Sequence, residues 1–169
     1  MSDFFSKTDL SRKIAESIIS ETLNKCDDGE LYLESSKSES IILDDNKIKN
    51  SSYSSDLGYG LRAVSGEVVA YSHSNEISKN SLQQSANNLS STLKSKKGVY
   101  NNEIPKTNEK FYKNINPIDE KSLNSKLELL KEVNGYTRAK GGIVQQVTAS
   151  FAGEYKSIEI IRSGGEVLT

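Results

Sequence analysis

His73 and Cys26 are the sole histidine and the sole cysteine of this 169-residue chain, and that scarcity bounds the chemistry open to it. A hydrolytic zinc centre takes three protein ligands and keeps one position free for water. One imidazole, one thiol and carboxylates without helical spacing do not supply that set. Nothing beside Cys26 in sequence points to an activated thiolate, so it reads as a small packing residue at the end of the first helix. His73 lies between a strand and a helix and reads as a surface or hydrogen-bonding residue. Gly58, Gly60 and Arg62 form GYGLR, which has the look of a phosphate loop. The dinucleotide fingerprint, however, needs a third glycine opening a helix after the strand. Here the glycines lie within a strand and read as packing glycines, with Arg62 and Glu67 placed to pair across the Ser65–Gly66 turn. Glu34, Lys37, Glu39, Lys47 and Lys49 carry mixed signs on neighbouring strands, as a solvated sheet face does. Tyr53, Tyr59 and Tyr71 are strand residues suited to packing together, since no basic groove accompanies them for base stacking. No residue is assigned a catalytic, cofactor-binding or metal-ligating role.

The elements that would hold these residues follow from periodicity. Thr8 is a candidate N-cap for a helix over residues 8–25, with Leu10, Ile14, Ile18 and Ile19 on one stripe. Asp27, Asp28 and Gly29 stop it. A β-meander over residues 30–73 follows, read as four short antiparallel strands. The first carries Leu31, Leu33, Ile41 and Leu43 on one parity, and Asp44, Asp45 and Asn46 suit the hairpin turn after it. The second runs from Lys47 to Asp56, the third from Leu57 to Val64, and the fourth from Val68 to Ser72. Leu82, Ala86, Leu89 and Leu93 share a helical face over residues 78–95. Both prolines, Pro105 and Pro117, mark residues 96–117 as a linker. A helix over residues 119–134 carries Leu123, Leu127, Leu130 and Val133, and a hairpin over residues 143–162 pairs Ile143–Phe151 with Tyr155–Arg162. The class is α+β in a single domain, residues 1–169: an antiparallel meander packed by amphipathic helices, then a helix and a further β-hairpin.

Composition narrows the function classes. Hydrophobic residues make up 34% of the chain, low against roughly 45–50% in average domains, so a modest core under a polar surface is expected. The charge of −1 comes from 22 basic and 23 acidic residues. Because they are interleaved, no field draws the chain to nucleic acid or to an anionic membrane. Lys94, Lys96 and Lys97 sit at a helix end, where cations favour exposed carbonyls. No stretch reaches the length of a membrane span, and the N-terminus lacks the apolar core of a signal peptide. A lone cysteine fits a reducing compartment, and the cytoplasm is the expected location.

One run goes further than class. DLGYGLRAVSGEVVAYSHS, Asp56 to Ser74, resembles the N-terminal domain of the TldD/PmbA family, the modulators of DNA gyrase understood as metallopeptidases. GELYLESSKSESIILDDNKIKN, Gly29 to Asn50, supports the resemblance, and KLELLKEVNGYTRAKGGIVQQVTASFAG, Lys126 to Gly153, does so more weakly. The TldD branch is the nearer. The resemblance implies zinc in the full-length protein, held by an H-E-x-x-x-H helix and a distant cysteine that this chain does not contain. It further implies peptide hydrolysis, a PmbA/TldE-type partner subunit or self-association, and a chain that stops before the metal-binding domain. The chain then reads as a scaffold and subunit-contact portion that is not catalytic by itself. The other reading is a stand-alone, non-catalytic α+β interaction module.

Overall fold

Ser11, not Thr8, caps the first helix. Its hydroxyl accepts from the Ile14 N–H, because Thr8 is engaged with the backbone of Leu10 as both donor and acceptor. The computed structural model describes residues 4–6, 8–93 and 115–162, and the backbone of 167–168. Its elements are α1 (Arg12–Leu23), β1 (Asp28–Asp44), β2 (Lys47–Ser65), β3 (Val68–Ser74), α2 (Lys79–Thr92), α3 (Pro117–Glu120), α4 (Leu123–Arg138), β4 (Thr148–Arg162) and β5 (Val167–Leu168). The strands form one five-stranded sheet in the order β3-β2-β1-β4-β5. β2 and β3 pair antiparallel from Ser65↔Val68 to Tyr59↔Ser74. Thr148 stands beside Asp44 and Arg162 beside Glu30, so β4 runs antiparallel to β1.

Three expectations are corrected. The second and third strands of the meander are one strand, β2, which is unbroken across Asp56 and Leu57. Residues 143–162 hold one strand rather than a hairpin, and the hairpin lies further on, where β5 pairs with β4 at Ile160 and Ile161. Gly153, read as part of a turn, stays in β4 with Ile118 and Glu39 near the position its Cβ would take. The helix placed over 119–134 is two helices, because Lys121 leaves helical angles and Ser122 opens α4 with its own cap on the Ser125 N–H. Of the linker at 96–117, Pro117 opens α3, and the part up to residue 114 is outside the described residues, as are Lys94, Lys96 and Lys97.

The chain divides into two compact units. The first comprises Met1–Ser35, Asp56–Lys113 and Ser157–Thr169, and the second comprises Ser36–Ser55 and Asn114–Lys156. In the first unit α1 buries Ala15, Ile18, Ile19 and Leu23, and α2 buries Leu82, Ala86 and Leu89. Both stripes join Leu31, Leu33, Leu61, Ala63, Ala70 and Ile161 of the sheet in one core. Each fully buried leucine there contributes on the order of 2 kcal/mol. Alternation puts Tyr59 on this helix-covered side, where its hydroxyl lies 2.9 Å from the hydroxyls of both Ser81 and Ser85 of α2.

In the second unit the core is Ile41 and Leu43 of β1, Leu130 of α4 and Ala149 of β4, flanked by Leu127 and Phe151. Asp45 and Asn46 adopt φ of 46° and 66°, the left-handed pair that a two-residue hairpin turn requires. α4 is rotated from its expected stripe. Leu123 and Val133 are exposed, while Lys126, Leu130 and Asn134 are buried.

Candidate functional site

His73 and Cys26 do not meet. His73 is on β3, opposite Gly60, with its ring stacked against Tyr71 at 5.8 Å between centroids. Cys26 is part of the first unit's apolar core, its thiol 3.8 Å from the Thr22 carbonyl. Burial, and then the charge of Asp27, push that thiol's pKa up, which disfavours the nucleophilic thiolate. Among the described residues no three His, Cys, Asp or Glu side chains stand close enough to hold a metal ion.

The glycines of GYGLR are there for close approach. A Cβ on Gly58 would come within 2.8 Å of the Ser74 carbonyl, and one on Gly60 within 2.5 Å of the Tyr71 hydroxyl. Arg62 does not pair with Glu67. Its guanidinium donates to Asp28 at 2.5 Å and to Glu30 at 3.0 Å, with Arg162 3.7 Å from Glu30. Burial acts upward on the Asp28 carboxyl, but the hydrogen bond and charge of Arg62 outweigh it and hold the pKa below the usual range. Tyr32 donates to Glu34 at 2.5 Å, and burial together with that bond raises its pKa to about 12. Of the three strand tyrosines, Tyr59 is buried, whereas Tyr53 and Tyr71 are exposed.

Two polar arrangements in the second unit were not singled out from sequence. Lys126, only 5% exposed, donates to Glu39 and to the Ile118 carbonyl at 2.7 Å, with the Phe151 ring beneath its ammonium. Glu39 therefore does not belong to a solvated ladder, since its side chain is 10% exposed and takes part in a buried ion pair. Lys37 and Lys49 pair at the surface, with Asp119 and Asp44. At the β1–β2 turn, Asp44 accepts from Gln146, Thr148 and Lys49, bonds that hold its pKa at about 2. Asp45 accepts from the Val147 N–H and from Arg138, and Asn46 accepts from the buried Asn134 amide. A signal for these bonds was present: Lys126, Leu130 and Asn134 recur every four residues, an alternative stripe that a purely apolar reading passes over.

Beside this turn lies a groove of about 430 Å³, lined by Leu129, Val133 and Thr137 of α4 and by Gln146, Thr148 and Ser150. It holds no acid–base pair and no thiol.

Comparison with known proteins turns this from a fold into a family. Residues 29–92 match the family model described as PmbA/TldA metallopeptidase domain 1. A metalloprotease TldD homolog of Buchnera aphidicola from Acyrthosiphon pisum is 35% identical over 144 residues, which is 85% of this chain and 30% of that protein. The TldD homolog of Haemophilus influenzae is 33% identical over 145 residues, covering 82% and 30%. The chain carries the N-terminal domain of the TldD/PmbA family. Solved structures agree at the level of fold. TldE of Thermococcus kodakarensis superposes with a TM-score of 0.63 at 13% identity, covering 92% of this chain and 36% of that one. A candidate modulator of DNA gyrase from Bacteroides thetaiotaomicron gives 0.64 at 18%, covering 92% and 37%.

The chain thus spans about 30% of the length of the TldD homologs it matches. The zinc that the family resemblance implies would need ligands among these residues. They do not fit: the only imidazole is stacked against Tyr71 on the strand, and the only thiol is sealed in the core with a raised pKa. No helix among the described residues is long and apolar enough to cross a membrane.

Proposed function

We propose that this chain is the N-terminal scaffold and subunit-contact portion of a TldD-type zinc metallopeptidase that degrades or processes peptides, and that it has no hydrolytic centre of its own. The observation that carries the reading is the 35% identity to a metalloprotease TldD homolog over 85% of the chain but 30% of the homolog. It is supported by residues that form cores, caps and ion pairs rather than a ligand set. In the complete assembly a metal-bound water would supply the hydrolytic chemistry, and this domain would help wall an enclosed chamber around the metal and contact a PmbA/TldE-type subunit. One domain over residues 1–169 and a cytoplasmic location belong to the same proposal.

The test has two arms. The purified chain, incubated with extended peptides and zinc, should cleave nothing; chelator-sensitive hydrolysis by the chain alone overturns the proposal. A TldD-type protein carrying this domain should co-purify with its TldE-type partner and lose that association, with its cleavage, when residues 29–74 are deleted. Unimpaired assembly and cleavage would remove the subunit-contact role.

A further inference from the structure

Asn134 and Gly135 form the single Asn-Gly dipeptide of the chain, and the fold treats the two residues oppositely. Asn134 is 1% exposed, and its amide donates to the Asn46 Oδ1 at 2.8 Å, on the β1–β2 turn. Its own Oδ1 is buried with no hydrogen-bond partner among the described residues, a cost that the bond to Asn46 has to offset. Gly135 is exposed. A Cβ there would meet no described atom within 4 Å, and its φ is not positive, so neither packing nor backbone angle calls for glycine. Inside a helix glycine is the poorest residue short of proline. The last turn of α4, from Gly135 to Arg138, is thus weakened just beyond the side chain that fastens it. Its second fastening is the bond from Arg138 to Asp45.

An asparagine followed by glycine can modify itself, because no side chain on the glycine hinders its amide nitrogen from attacking the asparagine Cγ. The bond from that nitrogen to Cγ forms and the Cγ–Nδ2 bond breaks. Nδ2 leaves as ammonia, taking the proton that the attacking nitrogen gives up. Water then opens the cyclic imide at either carbonyl, leaving aspartate or isoaspartate, and no other co-reactant is needed. In the intact helix the Gly135 N–H is committed to the Lys131 carbonyl four residues back. Nδ2 is held by Asn46 at the same time, so neither reacting group is free. We propose that Asn134–Gly135 is a self-modification site, guarded by the fold and exposed when the last turn of α4 opens, and that its conversion unfastens α4 from the β1–β2 turn. Aspartate at position 134 has no N–H to give Asn46 and places an anion in a buried site. Isoaspartate also lengthens the helix main chain by a carbon. The site is independent of the metallopeptidase reading.

The test is incubation of the full 169-residue chain in warm, mildly alkaline buffer with and without urea, followed by peptide mass mapping with fragmentation that distinguishes isoaspartate. Conversion at position 134 should be plain in urea and roughly hundredfold slower in the folded chain, the ratio being set by how often the turn opens. Asn46→Gly keeps the left-handed turn conformation and frees the Asn134 amide. It should raise the folded-state rate severalfold, up to about tenfold, and leave the urea rate unchanged. Ile19→Val trims the core of the other unit without unfolding it, and should leave the folded-state rate where it is, since the opening is local. Gly135→Ala should slow conversion in both solvents and raise the melting temperature. Asn134→Asp, which stands in for one product, should melt several degrees below wild type. No conversion of the folded chain, or equal rates with and without urea, overturns the inference. So does a folded-state rate that Ile19→Val raises or Asn46→Gly leaves unchanged, or an Asn134→Asp variant as stable as wild type.

Discussion

Replacing Lys126 by alanine should destabilise the chain by about 3–5 kcal/mol, the usual cost of stranding one member of a buried ion pair. The structure puts the figure in that range. Glu39, its side chain 10% exposed, would lose the ammonium that neutralises it. The Ile118 carbonyl would lose its donor at 2.7 Å, and Phe151 the cation over its ring. The intact pair itself contributes much less, because its Coulomb energy largely offsets the cost of drying both charges. Lys126→Met combined with Glu39→Leu should therefore bring stability back to within about 1 kcal/mol of wild type, since each replacement fills similar volume without a charge. Urea unfolding of wild type, both singles and the double gives the coupling energy directly. For a domain of this size the alanine variant should melt about 6–20 °C lower, at roughly 2–4 °C per kcal/mol. A loss below about 1 kcal/mol for Lys126→Ala would refute the argument, because it would mean that Glu39 finds water as soon as its partner is gone.

Further predictions concern the glycines and the turn. Gly58→Ala should cost about 1–3 kcal/mol, as an added methyl group meets the Ser74 carbonyl, which is backbone and cannot swing away. Gly60→Ala meets only the far end of the exposed Tyr71 side chain, so it should cost less, and Tyr71→Ser should cancel that cost in thermal melts. Asp44 is held at a pKa of about 2 by Gln146, Thr148 and Lys49, below its ordinary 3.8. A depressed carboxylate contributes stability that is complete above the unfolded pKa and is lost as pH falls through the folded one. Asp44→Asn should therefore flatten the acid limb of the stability profile between about pH 4 and 2. In NMR titrations, Gln146→Ala should raise the Asp44 pKa. Tyr32 should stay protonated up to about pH 12, and Glu34→Gln should lower that midpoint in an ultraviolet titration.

What the sequence showed and what it hid divide along physical lines. The α+β class and the meander with its covering helices were legible, because apolar residues at periods of two and near four dominate those segments. Leu82, Ala86 and Leu89 lie where their spacing puts them. The turn at Asp45 and Asn46 was legible because few residues accept left-handed angles. The α4 face was misread, since a leucine count cannot anticipate that a lysine and an asparagine will be buried once Glu39 and Asn46 are there to bond them. The breaks expected near Asp56 and Gly153 failed for a related reason. Polar residues and a glycine read as turn signals locally, yet β2 and β4 both lie beside β1 in the sheet, and that pairing holds them extended. The candidate residues were legible mainly in what they lack: one histidine and one cysteine could be counted, but their separation, one on an exposed strand and one in a core, is a tertiary fact.

The β1–β2 turn carries a consequence for how this domain tolerates change in length. Asp44, Asp45 and Asn46 reach different partners: Gln146 and Thr148, then Val147 and Arg138, then Asn134. One residue inserted or deleted here would leave each of the three side chains aimed at its neighbour's partner, and within the strands it would also turn inward residues outward. The tip should accept substitutions one at a time while refusing indels, the opposite of what an exposed hairpin loop ordinarily permits.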